Sequence, residues 1–332
     1  MDALPITAAT TVKPVAHGGD VSEARRRYPD APEPWIDLST GINPVPYPVA
    51  PLPTEIWSRL PTRQRERAVL EAAALRYGVR DFATIAAAPG TQALIQLLPR
   101  LVPKSRVAIV GPTYDEHEAC WTRQGHDVGI VASLDGAAGA DVVIVVNPNN
   151  PTGLLLPPSA LHRKRGLLVV DEAFVDLLPR DASLTVDLPA NTIVLRSFGK
   201  AYGLAGVRLG FAIAEKSIVD RIRDELGPWA VSGPALEIGR LALADPAWLQ
   251  AAAARLADDR RKLDALLISA GCEIVGGTPL FCLARHPDAV GVADRLGRQG
   301  VHVRRFTRNP EWLRFGLPAN AGEFNRVAAA LA

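Results

Sequence analysis

Cysteine is scarce in this chain. Cys120, Cys272 and Cys282 are the only three in 332 residues, and no Cys-x-x-Cys pair occurs. A disulfide framework and a cysteine zinc site are therefore unsupported, and a reducing cytosol suits the chain best. Net charge is also small: 37 Lys and Arg against 35 Asp and Glu leave +2. That excludes the polyelectrolyte face expected of a nucleic-acid binder. No run of about 20 apolar residues occurs, so a membrane span is not expected. The first residues, Met1-Asp2-Ala3-Leu4-Pro5, have neither the basic nor the apolar region of a secretory signal. Repeats and low-complexity tracts are missing too. What the chain does have is a 48% hydrophobic composition, enough for one large and one smaller domain.

Residues 1–16 are apolar and Thr-rich without a period and read as a mobile arm, followed by the turn His17-Gly18-Gly19-Asp20. Residues 35–38 form a candidate strand. Pro44, Pro46, Pro48, Pro51 and Pro53 make the next segment an extended connector. From 65 to 77, Val69, Leu70, Ala73 and Tyr77 recur on one helical face. Strands and helices then alternate, with strands expected at 84–88, 106–110, 141–146, 166–170, 191–195 and 208–214 and a helix at 92–101. Strands apolar on both faces between helices imply a buried, mostly parallel sheet: an α/β fold. A long helical region, clearest at 248–267, leads into strands at 272–275, 280–284, 301–304 and 312–316 around a helix near 289–299. That pattern suits a small α+β domain.

Ligands of open α/β sheets bind at the carboxyl ends of strands. Gly90-Thr91-Gln92 follows one strand and opens a helix whose N–H groups suit a phosphate, although the same residues also suit a plain turn and cap. Asn147-Pro148-Asn149-Asn150-Pro151-Thr152-Gly153 ends the most apolar strand, and Asp171 ends the next. A carboxylate there either caps a helix or sits against a protonated ring nitrogen. Lys200 follows the next apolar run among Gly199, Ala201 and Gly203, with Ser197 three residues before it and Arg208 eight after. Burial lowers a lysine's pKa and favours attack on an aldehyde.

Asn-Pro-Thr-Gly, Asp171 and Ser-x-x-Lys with its arginine, in that order, resemble the fold-type I, pyridoxal-phosphate-dependent aminotransferase superfamily from about His17 to Leu331. The resemblance implies an enzyme with Lys200 as the Schiff-base lysine, Asp171 on the pyridine nitrogen and Asn150 on the ring oxygen. It implies a phosphate held by Ser197, Arg208 and Gly90-Thr91-Gln92, with Tyr114 stacked on the ring and Phe174 beside it. It also implies a homodimer and three segments: 1–40 an arm covering the substrate, 41–235 the large cofactor domain, 236–332 the small domain. No metal is expected.

Within the superfamily two branches are similar: histidinol-phosphate aminotransferases and the threonine-phosphate decarboxylases of cobalamin biosynthesis. Ala16-His17-Gly18-Gly19-Asp20, Ser39-Thr40-Gly41-Ile42-Asn43-Pro44, Asp171-Glu172-Ala173-Phe174-Val175-Asp176 and Pro228-Trp229 resemble the decarboxylases, whereas the aminotransferases usually carry Tyr where Phe174 stands. The family's Tyr-Pro-Asp, which reaches the partner subunit's phosphate, is replaced by Arg59-Leu60-Pro61-Thr62, and Tyr28-Pro29-Asp30 comes too early to serve. By the same resemblance, His17, Gly18, Gly19, Asn43, Arg304 and Arg314 are the candidate substrate contacts, the arginines for the anionic groups of a phosphorylated amino acid. Three functions stand at this point: the decarboxylase, the aminotransferase, and a non-catalytic regulator that keeps the fold. The intact Lys200 speaks against the third.

Overall fold

The computed structural model describes residues 18–162 and 166–332. Its strands are β1 (Ile36–Leu38), β2 (Ile85–Ala88), β3 (Arg106–Val110), β4 (Asp127–Val131), β5 (Val142–Val146), β6 (Leu167–Asp171), β7 (Thr192–Ser197), β8 (Gly210–Ile213), β9 (Glu273–Thr278), β10 (Phe281–Arg285), β11 (Val301–Arg305) and β12 (Trp312–Gly316).

Seven strands form one sheet in the order β2-β8-β7-β6-β5-β3-β4. Neighbours from β7 to β4 are parallel, and only β8 runs antiparallel to both of its neighbours. The expected mostly parallel α/β sheet is therefore what forms. All residues of β2, β5, β7 and β8 are buried, which is why these strands read as continuous apolar runs without alternation. The edge strand β4 is mostly exposed, so its short mixed sequence carries no such signal. From β3 the chain steps outward to β4 and then back to β5, β6 and β7. The carboxyl ends of β3, β5, β6 and β7 thus open on one crevice, where open α/β sheets bind ligands.

The second sheet has the order β1-β11-β12-β10-β9. β1 lies parallel to β11, with Ile36 opposite Val301 and Leu38 opposite Val303. Residues 18–40, placed by expectation in the substrate-covering segment, supply a short helix, Ser22–Arg27, and, where a strand was expected at 35–38, an edge strand to the small domain. Ile36 and Leu38 are buried in that domain's core, and burial of two apolar side chains there outweighs a solvated arm.

The boundary expected at 235 also shifts. The helix Gly233–Leu243 buries Leu236, Ile238 and Leu243 in the large core beside Val69, Leu70 and Ala73. The following helix, Pro246–Ser269, starts with Leu249 in that core and ends with Leu256, Leu263 and Leu267 in the small one. One continuous helix therefore belongs to both bodies. No described helix is long and apolar enough to cross a membrane.

Candidate active site

Lys200 sits in a four-residue helical turn, Phe198–Ala201, directly after β7. Two aromatic residues flank it and stack face to face: Phe198 on Tyr202 at 4.6 Å and 15°, and Tyr202 on Trp248 at 5.8 Å and 12°. The turn is therefore held rigidly while the lysine side chain remains half-buried, reachable from the crevice. Burial lowers its pKa to about 8, and the charges of Arg314 and Arg208 push the same way against Asp171. At pH 7 about a tenth of such an amine is neutral, hundreds of times the fraction of an ordinary lysine. The rate at which the cofactor-free protein takes up an aldehyde at Lys200 should therefore rise about tenfold per pH unit below 8 and level off above it. Stopped-flow absorbance checks this; a rate still climbing steeply to pH 10 would contradict it.

Asp171, the last residue of β6, is 4% exposed. Its Oδ1 accepts from the backbone N–H of Ala173 at 3.1 Å, and its Oδ2 lies 3.1 Å from Nε2 of the fully buried His117. A carboxylate can only accept, so His117 donates through Nε2. Sequence reasoning missed His117. It lies on the helix Asp115–Arg123, whose opening residues Asp115, Glu116, His117 and Glu118 read as a solvated charged run. The available signal was its place one turn after Tyr114, at the end of β3. Tyr114 packs edge-on against His117 at 6.1 Å, and its hydroxyl donates to Gln92 Oε1 at 3.2 Å. Burial, with Glu116 and Asp171 nearby, pushes the phenol pKa well up, so it remains a neutral aromatic surface.

A phosphate-sized cradle forms from elements distant in sequence. The helix Thr91–Leu101 begins at Gly90 with no side-chain cap, which leaves first-turn N–H donors to offer an anion. Arg208 closes on it: a Cβ at Gly90 would lie 2.7 Å from Arg208 Nη2. Ser197 pairs with Gly210 across β7 and β8, and a Cβ at Gly210 would lie 2.6 Å from Thr91 N. The Gln92 side chain is itself engaged, donating to Glu116 Oε2 at 2.8 Å. Only its backbone remains for a ligand.

A cavity of about 550 Å³ lies between the two sheets, lined among others by Gly18, Tyr114, Asn150, Trp312, Arg304 and Arg314. Lys200, Asp171 and Ser197 are not in its lining, but Lys200 feels the Arg314 charge. Arg314 on β12 pairs in register with Arg304 on β11, so both cations face one side of the small sheet. Arg314 is buried and donates to Asn150 Oδ1 and, at 2.7 Å, to the carbonyl of Ser39. Burial, then the Arg304 charge, holds its pKa down to about 10, still cationic at neutral pH. With Oδ1 of Asn150 taken, its amide offers only the Nδ2 donors to a ligand oxygen. Burial also lowers the pKa of Arg304, offset by Asp115 and Tyr114.

The remaining candidates separate. Gly19 N donates to Ser39 Oγ at 2.8 Å, and Gly18 lies so close that a Cβ would meet Ser39 O at 2.5 Å. Both glycines thus reach Arg314 through Ser39. His17 falls outside the described residues. Phe174 is buried edge-on against Phe281 at 5.0 Å, with Lys200 Nζ 5.6 Å from its ring centre. Asn43, expected at the substrate, is 2% exposed and outside the cavity lining, and its amide donates to Ala201 O and accepts from Arg255. Glu172, next to Asp171, joins Arg196 at 3.1 Å, and Arg196 also pairs with Asp176. This buried network ties the ends of β6 and β7 together from beneath. Burial raises the Glu172 pKa, and Arg196 opposes it.

The arrangement fits pyridoxal phosphate. It has a reactive amine, a carboxylate for a ring nitrogen, an amide donor for a ring oxygen and a cradle kept open by glycines. Among the described residues no group of three or more metal-ligating side chains exists.

Comparison with known proteins agrees with this geometry. The family model for aminotransferase class I and II matches residues 55–331. A threonine-phosphate decarboxylase of Sinorhizobium sp is 45% identical over 96% of this chain and 98% of its own length. One from Pseudomonas aeruginosa is 38% identical over 95% and 96%. The crystal structure of histidinol-phosphate aminotransferase from Sinorhizobium meliloti, in complex with pyridoxal-5'-phosphate, superposes with a TM-score of 0.79 over 98% of both chains at 22% identity, a likeness of fold. The lysine, aspartate and anion cradle at the strand ends, and a family match over most of the length, lead to one conclusion: this chain belongs to the aminotransferase class I and II family.

Proposed function

We propose that the protein decarboxylates L-threonine O-3-phosphate to (R)-1-aminopropan-2-ol O-phosphate, using pyridoxal 5'-phosphate, in cobalamin biosynthesis. The observation that carries this is the near full-length similarity to two threonine-phosphate decarboxylases. The site supports it with two arginines on adjacent strands, suited to a substrate bearing both a carboxylate and a phosphate.

When bound, the cofactor serves as an electron sink for the pair released at Cα. The chain's residues decide which bond breaks, because only the substituent held perpendicular to the cofactor plane departs readily. Lys200 would hold the cofactor covalently, be released as a free amine when the substrate's amine takes its place, and then carry the proton that replaces CO2 at Cα. Asp171, oriented by His117, would keep the ring nitrogen protonated. Asn150 would donate to the ring oxygen. Ser197, Arg208 and the N–H groups at Gly90-Thr91-Gln92 would hold the cofactor phosphate, and Tyr114 and Phe174 would bound the ring. Arg304 and Arg314, with Gly18 in the same cavity lining, would anchor the substrate's anions, and the resemblance adds Gly19 and His17 to them. The anchor favours the phosphate, since a carboxylate gripped too firmly in the ground state resists leaving as CO2. In this reading the enzyme works in the cytosol as a homodimer.

Arg304→Met should raise KM for phosphothreonine about 10- to 100-fold, the worth of one charge-assisted contact, with kcat within a few-fold. Steady-state kinetics checks it, and an unchanged KM would remove Arg304 from the substrate site. The function itself is tested by incubating the enzyme with phosphothreonine and measuring CO2, beside histidinol phosphate with 2-oxoglutarate and assay of the keto product. CO2 release without 2-oxoglutarate supports the decarboxylase. Keto product without CO2 makes it an aminotransferase, and neither from a loaded enzyme leaves a regulator.

A further inference from the structure

The turn that carries Lys200 is only four residues long, so its last carbonyls are poorly met nearby: Lys200 O is reached locally by Tyr202 N and, at 3.4 Å, by Gly203 N. They are capped from outside. Asn43 N donates to Lys200 O at 2.9 Å, and Asn43 Nδ2 donates to Ala201 O at 2.9 Å. Tyr47 N donates to Tyr202 O at 2.8 Å. The consecutive carbonyls of Lys200, Ala201 and Tyr202 are thereby met by Asn43 and by Tyr47 of the proline-rich connector. The approach is close: at Gly203, with φ of 66°, a Cβ would meet Asn43 O and Pro46 Cα, each at 2.7 Å. Asn43 is in turn gripped by Arg255, whose Nη2 donates to Asn43 Oδ1 at 2.7 Å. Arg255 also pairs with Asp259 at 3.4 Å, on the same turn of the helix Pro246–Ser269 that runs from the large core into the small one.

We propose that Asn43 and Arg255 are positioning residues that fix the Lys200 turn to the interdomain helix and so set the aim of its amine. Asn43 suits this role because one side chain must donate to a carbonyl and accept from a guanidinium at once, and an amide carries both functions on separate atoms. Arg255 suits it because two donors of its planar fork reach Asn43 and Asp259 together. Releasing the clamp takes the Asn43 amide donor from Ala201 O, loosens the backbone contact of Asn43 with Lys200 O, and lets the turn relax toward water.

The proposal rests on Lys200 being the reactive amine, and two readouts test it. In cofactor-free protein, the pH dependence of Lys200 labelling by trinitrobenzenesulfonate, read by peptide mass, should have its midpoint near 8 in the parent. Asn43→Ala and Arg255→Met should move it upward by about half a unit or more, because a looser turn is less desolvated. In the loaded enzyme both variants should lose about 10- to 100-fold in kcat, as a misaimed reacting group does, with KM within about twofold. Arg255→Lys, which restores one donor, should recover part of the loss. A raised KM with unchanged kcat in Asn43→Ala would return Asn43 to the substrate site and overturn the proposal. So would unmoved labelling midpoints. If Asn43→Ala does not fold by thermal melt, Arg255→Met, which leaves both Asn43 donors in place, decides alone. A parent enzyme that releases no CO2 while the labelling shifts appear would defeat the decarboxylase reading and leave the clamp standing.

Discussion

Lys200→Ala is expected to reduce CO2 release from phosphothreonine by about 10⁴-fold or more, since it removes both the covalent anchor and the proton donor. The physical basis is the environment of the amine. It is half-buried at the end of a strand with all six residues buried, beside the ring of Phe174, and its pKa is lowered to about 8 by desolvation and by Arg314 and Arg208. Lys104, Lys216 and Lys262 lie on the exterior and cannot substitute for it. The visible absorbance of lysine-bound cofactor should vanish in the variant. Thermal stability should hold or rise, because a group whose charged form was disfavoured by burial is gone. The measurements are a CO2 assay, an absorbance spectrum and a thermal melt. A variant that folds, lacks the absorbance and still turns over near the parental rate would end the present account of the chemistry.

Asp171→Asn is expected to carry the second largest loss, with kcat down about 10²- to 10⁴-fold and KM within a few-fold. The substitution keeps the volume and removes the charge that stabilises a protonated ring nitrogen. Breaking such a buried pair costs about 3–5 kcal/mol, and each 1.36 kcal/mol is a factor of ten in rate. The site cannot make good the loss. Asp171 is buried, its Oδ1 serves Ala173 N and its Oδ2 serves His117, so no water or neighbouring carboxylate takes its place. His117→Ala should reproduce a smaller part of the defect by freeing the carboxylate to rotate. A cofactor whose absorbance and rate are the same in Asp171→Asn as in the parent would show that the ring nitrogen is not held there.

The parallel sheet was legible because buried strands such as Val142–Val146 and Thr192–Ser197 are apolar on both faces. So was the lysine turn, since glycine and alanine around a lysine leave few other readings. Less legible was anything set by a partner far along the chain. The helix Asp115–Arg123 reads as a charged surface, yet its His117 is buried against a carboxylate 54 residues away. Glu172 looks like a second acid of the site until Arg196 claims it. The short strand near 35–38 was legible, but its partner was not: the pairing of β1 with β11 joins residues more than 260 positions apart. Asn43 was grouped with the substrate contacts by its motif, and its hydrogen bonds put it behind the lysine instead.

Taken alone, the sequence determined the fold class and marked Lys200, Asp171 and Gly90-Thr91-Gln92 as candidates, because each is written locally as an apolar run followed by a polar tip. Tertiary structure decided what those tips do to one another. Folding joins Arg314 to Asn150, Arg208 to Gly90, His117 to Asp171 and Arg255 to Asn43, across separations from 54 to 212 residues. Charge, desolvation and hydrogen bonding fall off within a few ångströms, so they depend on distance in space, and spacing along the chain does not encode it.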